Sequence, residues 1–230
     1  MYPILFKIGP VTIYSFGVMA AAGFLIAFLL LRRQALQKLI PFAPISDLAL
    51  GVFLFGLVGA RVFFIGLNLH GYRDHPFEIF QLQKGGLVAY GGIVLAALFG
   101  IWFTRFKKIP FWEAADLAAP LWPIGLAIGR IGCFLNGCCY GRSGGFFGTH
   151  PTQLYESLGL WLLAAGLFWA SRRPLRMGQL FALSLVGYAA LRFALEFLRG
   201  DQLPAALGLT LPQWMSFAAI GIAAWIWSSR

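Results

Sequence analysis

The sequence predicts an all-α membrane protein of about seven transmembrane helices, with the N-terminus outside and the C-terminus in the cytoplasm. Three observations predict it. Of 230 residues, 60% are apolar and only 11% are charged, against about 25% charged in soluble domains. The apolar residues gather in runs of about 20, the length a helix needs to cross a bilayer while pairing every backbone amide internally. The basic residues between the runs alternate in abundance from one connection to the next, as the positive-inside tendency requires.

The runs fall at residues 11–31, 47–68, 86–104, 113–129, 154–171, 178–198 and 211–228 of one polytopic domain, 1–230. The first is longer than the apolar region of a signal peptide and continues past Ala20, Ala21 and Ala22, so it reads as a retained helix. The fourth is short and holds Pro120 and Pro123, each removing a backbone donor, so a kinked or broken helix is expected. Arg32, Arg33, Lys38, Arg105, Lys107, Lys108, Arg172, Arg173, Arg176 and Arg230 lie on one side, which they mark as cytoplasmic. Only Lys7, Arg73, Lys84, Arg142 and Arg199 lie on the other. There, His70–Gly85 reads as an interfacial amphipathic segment or a plain connection, and Cys133–Thr152 as a glycine-rich loop able to bend tightly. The net charge of +10 suits anionic lipid. Nucleic acid is set aside, because no basic cluster is interleaved with exposed aromatics on a soluble segment.

Arg61, Arg130 and Arg192 fall inside or at the edge of the apolar runs. A charge at the bilayer centre costs about 2.5–3.5 kcal/mol even on a lenient scale, so such residues normally face a protected polar cavity. In LRFALEFLRGD, Arg192, Glu196 and Arg199 are spaced i, i+4 and i+7, which places them on one helix face as a salt-bridge ladder. Arg61 and Arg130 have no acid three or four residues away, so another helix or a ligand must meet their charge. Asp116 and Glu156 are candidate ion partners. Guanidinium groups converging in a low-dielectric cavity would suit a phospholipid phosphate.

The stretch GRIGCFLNGCCYGR, residues 129–142, resembles the signature of the bacterial phosphatidylglycerol:prolipoprotein diacylglyceryl transferases. GARVFFIGLN, GGLVAYGG, the approach to Gly132, HPTQLYES and LRFALEFLRGD are similar to that family's other blocks, in its order. The resemblance implies an integral inner-membrane transferase without a cofactor, its active site towards the outer face. Its reaction would move the diacylglyceryl group of phosphatidylglycerol, or a related anionic phospholipid, to the lipobox cysteine thiol of a preprotein, releasing glycerol 1-phosphate. Arg130 matches the family's signature arginine and Arg192 its essential arginine on the late helix; Arg61, Asn136, Gly141, Glu196 and Arg199 also match and are expected to bind substrate. Cys133 stands where the family has asparagine, Cys138 where it has glutamate, Tyr90 where it has histidine and Phe16 where it has tyrosine. Tyr90 and Cys133 therefore join Arg130 and Arg192 as candidate catalytic residues.

Cys133, Cys138 and Cys139 are the only cysteines, and they admit three readings. A disulfide from Cys133 to Cys138 or Cys139 is the default in an oxidising compartment. A thiol activated by Arg130 is the second. The third is metal binding, with His150 as a fourth ligand, but C-x4-C-C is unlike the usual zinc spacing, and no metal is assigned. Two other functions remain open beside transfer: a membrane thiol oxidoreductase or acyl-thioester enzyme using these cysteines, and a non-catalytic lipid-binding protein.

Overall fold

A computed structural model describes residues 2–9, 11–72, 79, 86–144, 148–200 and 204–229. Arg73, His75, Lys84, Asp201, Arg230 and most of the expected interfacial segment lie outside the described residues. The chain packs as two compact units, one of residues 1–34 with 115–230 and one of residues 35–114.

The first unit opens with a β-hairpin where the sequence predicts the start of a helix. Strands β1 (Ile4–Ile8) and β2 (Val11–Tyr14) pair antiparallel, and the chain reverses through Gly9 at φ 58°, a left-handed position that glycine takes without steric cost. The β-branched residues of VTIY favour the strand. Helix α1 (Ser15–Gln37) begins only afterwards, at Ser15, whose hydroxyl donates to the Tyr2 carbonyl.

In the second unit, α2 (Phe42–Leu67) and α3 (Ala89–Phe106) pack closely along their length. Glycines permit the approach: a Cβ on Gly92 would come within 2.8 Å of the Gly56 carbonyl, and one on Gly59 or Gly91 would run into the other's carbonyl. Small residues at such a seam let helix backbones meet where lipid supplies no hydrophobic drive. The outer faces keep Leu54, Leu98 and Trp102 exposed, as a lipid-facing surface does.

The chain returns to the first unit through α4 (Phe111–Ala118) and α5 (Trp122–Asn136), two helices bent by 45° at Pro120 and Pro123. The expected break is therefore present. Helix α5 continues past residue 129 to Asn136, so Cys133 belongs to a helix and is buried, contrary to the expected loop. Gly137, left-handed at φ 79°, ends the helix, and the Cys133 carbonyl accepts from both the Gly137 and Cys138 amides.

Helices α6 (Thr152–Ala170), α7 (Gln179–Glu196) and α8 (Leu211–Ser228) complete the unit. A short hairpin, β3 (Pro204–Ala206) and β4 (Leu209–Thr210), joins the last two. Ala119, Leu167 and Leu180 form one apolar core, and Ile124, Ile128 and Ala164 another. The Asp116 carboxylate accepts from the Gly178 and Phe181 amides at 2.6 and 2.8 Å, satisfying orphan donors at the start of α7 and complementing the helix dipole.

Each of the seven predicted runs coincides with a helix or, for the fourth, with the bent pair. Among the described residues, α1, α2, α3 and α7 are long and apolar enough to cross a membrane, and the bent pair makes a fifth span if counted as one. The protein is an all-α, multi-pass membrane protein.

Candidate functional site

Four side chains from three helices of the first unit form an alternating ladder of charge. Arg130 Nη2 of α5 lies 2.9 Å from Glu156 Oε1 of α6. Arg192 Nη1 of α7 lies 3.5 Å from the other oxygen of Glu156, and its Nη2 lies 3.0 Å from Glu196 Oε2. The Thr210 hydroxyl, at the N-cap of α8, donates to Glu196 Oε1 at 2.9 Å. The acid partner that Arg130 lacks on its own helix comes from α6.

The ladder is layered. The Glu156 and Glu196 side chains are 2% and 0% exposed, whereas Arg130 and Arg192 keep 17% and 12%. The carboxylates are sealed and the arginine side chains keep a small exposure. Burying an ion costs several kcal/mol unless it is paired, so the acids hold the arginine charges together before any ligand arrives. Tyr188 lies near Arg130 and packs edge-on against Trp122. Arg130 Nε is buried without a hydrogen-bond partner. An unmet charged donor of this kind is costly and marks a place for an acceptor.

Helix α7 ends at Glu196, so the expected single face through Arg199 is not realised. The Arg192–Glu196 pair forms, but Arg199 lies beyond the helix in a bridge to Gly141, and its carbonyl accepts from Arg142 Nε at 3.2 Å. Gly141 is buried there, its amide donating to the His150 carbonyl at 2.9 Å. A Cβ at this position would come within 2.6 Å of the Leu198 carbonyl and of His150 Cβ, and within 2.8 Å of Thr152 Cγ2. Three chain segments cross at this glycine.

The cysteines lie beside this crossing. Their sulfurs are all within 4.8 Å of one another, and all three are free thiols, so the default disulfide is not formed. Thr152 Oγ1 and Gln153 Nε2 donate to the Cys139 and Cys138 carbonyls, fixing the loop to the start of α6. The Cys138 thiol donates to the Cys133 carbonyl at 3.6 Å, and Asn136 lies near it. Hydrogen bonds from the Cys133 and Cys138 thiols, with the nearby Arg199 and Arg130 charges, hold the Cys139 thiol down at about 5 against the effect of burial. Burial pushes the Cys138 thiol up.

Two candidates belong to the second unit. Arg61 is buried on α2; its Nε donates to the Ile79 carbonyl at 3.0 Å and its Nη1 to the Gly86 carbonyl at 3.1 Å. It also lies against the Phe64 and Tyr72 rings, each centroid 5.8 Å away. Part of its charge is thus met by the connection leading to α3. Tyr90 is half-buried in the first turn of α3.

Tyr188 and Thr210 join the site without having been candidates for it. The acids of the sequence pointed to Glu156 as an ion partner, but nothing local singles out Tyr188 or Thr210.

Comparison with known proteins identifies the family. The family described as prolipoprotein diacylglyceryl transferase matches residues 3–228. A phosphatidylglycerol--prolipoprotein diacylglyceryl transferase of Bordetella bronchiseptica is 36% identical over 243 residues, covering 95% of this chain and 91% of its own. Its namesake in Geobacillus kaustophilus is 34% identical, covering 99% and 92%. The one in Geobacter sulfurreducens is 35% identical, covering 90% and 85%. The chain belongs to the prolipoprotein diacylglyceryl transferase family.

Proposed function

We propose that this protein transfers the diacylglyceryl group of phosphatidylglycerol to the lipobox cysteine thiol of a preprolipoprotein. The acceptor sulfur forms a bond to the glyceryl carbon, the phosphate ester C–O bond breaks, and glycerol 1-phosphate leaves. The observation that carries this reading is the layered ladder: two arginines of small exposure held by sealed carboxylates, with Arg130 Nε unmet.

The developing charge of the phosphate leaving group requires fixed positive charge in a site of low dielectric. Arg130 and Arg192 supply it at positions set by Glu156 before the lipid binds. Asn136, Glu196 and Arg199 shape the same end of the first unit, and Gly141 holds its loop. Arg61 and Tyr90, on the second unit, are candidates that the family resemblance supplies. The ladder lies near the loop end of the helices, with Glu156 about 6 Å along α6 from its first residue. A head-group depth of that kind supports a site at a membrane face. The sparse basic residues of the connections there support the outer face of the bacterial inner membrane.

The test is to incubate purified protein with phosphatidylglycerol and a lipobox peptide. Glycerol 1-phosphate released only when the peptide carries its cysteine supports the proposal. Failure to form product with several lipobox peptides overturns it.

A further inference from the structure

The cysteine cluster occupies family signature positions with a different chemistry. Cys133 sits on the last turn of α5, one turn after Arg130. The left-handed Gly137 reverses the chain, and Cys139 is itself left-handed at φ 67°, a conformation that costs a non-glycine residue about 1–2 kcal/mol. These two turns bring three sulfurs from the helix and its following loop to within 4.8 Å of one another. Thr152 and Gln153 tie the loop down through the Cys139 and Cys138 carbonyls.

A zinc ion bound at about 2.3 Å from each of three thiolates needs sulfur–sulfur distances of about 3.8–4.0 Å. The cluster reaches that spacing by moving its sulfurs together by about 1 Å or less. Soft thiolate donors select a thiophilic ion over calcium or magnesium. Three protein ligands leave a tetrahedral ion one open position, the pattern of catalytic rather than structural zinc. The resulting anionic site would stand near the positive charges of Arg130 and Arg199.

We propose that Cys133, Cys138 and Cys139 bind a thiophilic divalent cation such as Zn2+, whose open position takes the acceptor thiol. The proposal deepens the transfer reaction above and rests on it for the identity of that thiol. On binding, the three cysteines and the acceptor cysteine each yield a proton to solvent, because a coordinating thiol is deprotonated outright. The acceptor sulfur, now a thiolate on the ion, supplies the electron pair for the new S–C bond. The pair from the broken C–O bond leaves on glycerol phosphate.

The test uses Co2+ as a spectroscopic probe on the full-length, fully reduced protein in detergent micelles. One equivalent is expected to give a thiolate-to-cobalt charge-transfer band. Lipobox peptide should raise that band by about a third as a fourth thiolate joins three, and a peptide with serine for cysteine should not. Cys138→Ser and Cys139→Ser should each weaken binding by about tenfold or more. Absence of saturable Co2+ binding, a band indifferent to the peptide thiol, or binding by either variant as tight as the parent's overturns the proposal. None of these readings requires turnover. Glycerol phosphate release without Co2+ binding would sink the metal site alone, and a thiol-responsive site without release would sink the transfer reading alone.

Discussion

Arg130 on α5 reaches Glu156 on α6 across 2.9 Å, in a pair whose carboxylate is almost wholly sealed and whose arginine side chain keeps a small exposure. The same carboxylate faces Arg192 at 3.5 Å. One acid therefore holds two arginines from different helices, and its loss leaves Arg130 without this carboxylate and Arg192 with Glu196 alone.

Glu156→Gln is expected to lower stability by about 3–5 kcal/mol, the usual cost of breaking a buried ion pair from one side. Thermal unfolding in detergent measures it. A variant as stable as the parent would mean that the arginines do not depend on Glu156.

Asp116→Ala removes acceptors from two amides at the start of α7. The expected loss is about 1–2 kcal/mol, read as a lower unfolding temperature. The variant's transfer rate, measured at a temperature where it is folded, should stay close to that of the parent, because Asp116 serves the helix and not the ladder.

Much of the fold is legible in the sequence because hydropathy is a local property. All seven apolar runs coincide with helices, and Pro120 and Pro123 announced the break between α4 and α5. The hairpin of β1 and β2 was absorbed into the first apolar run, since β-branched residues raise hydropathy as well as helix-forming ones do. In the site, the i, i+4 spacing of Arg192 and Glu196 foretold their pair. The pairing of Arg130 with Glu156, the packing of Tyr188 and the hydroxyl of Thr210 depend on how α5 to α8 assemble, and no local pattern encodes that. Arg199 was misplaced because helical periodicity was extended beyond Glu196, where the chain turns instead into its bridge with Gly141.

Gly141→Ala is expected to displace the segments crossing at that position, because the added Cβ would overlap the Leu198 carbonyl. Helix content by circular dichroism should be unchanged, while transfer falls by about tenfold or more, as a misplacement of about 1 Å around a reacting centre can cost more still. Full activity in this variant would show that the loop does not position the site.

The most direct measurement compares glycerol 1-phosphate release by the parent protein with release by Arg130→Ala and Arg192→Ala, each first shown to be folded by its unfolding transition in detergent. If these two arginines stabilise the departing phosphate, the parent releases product with lipobox peptide and each variant loses about 10²–10³ in rate. Release by either folded variant at the parental rate would contradict the account.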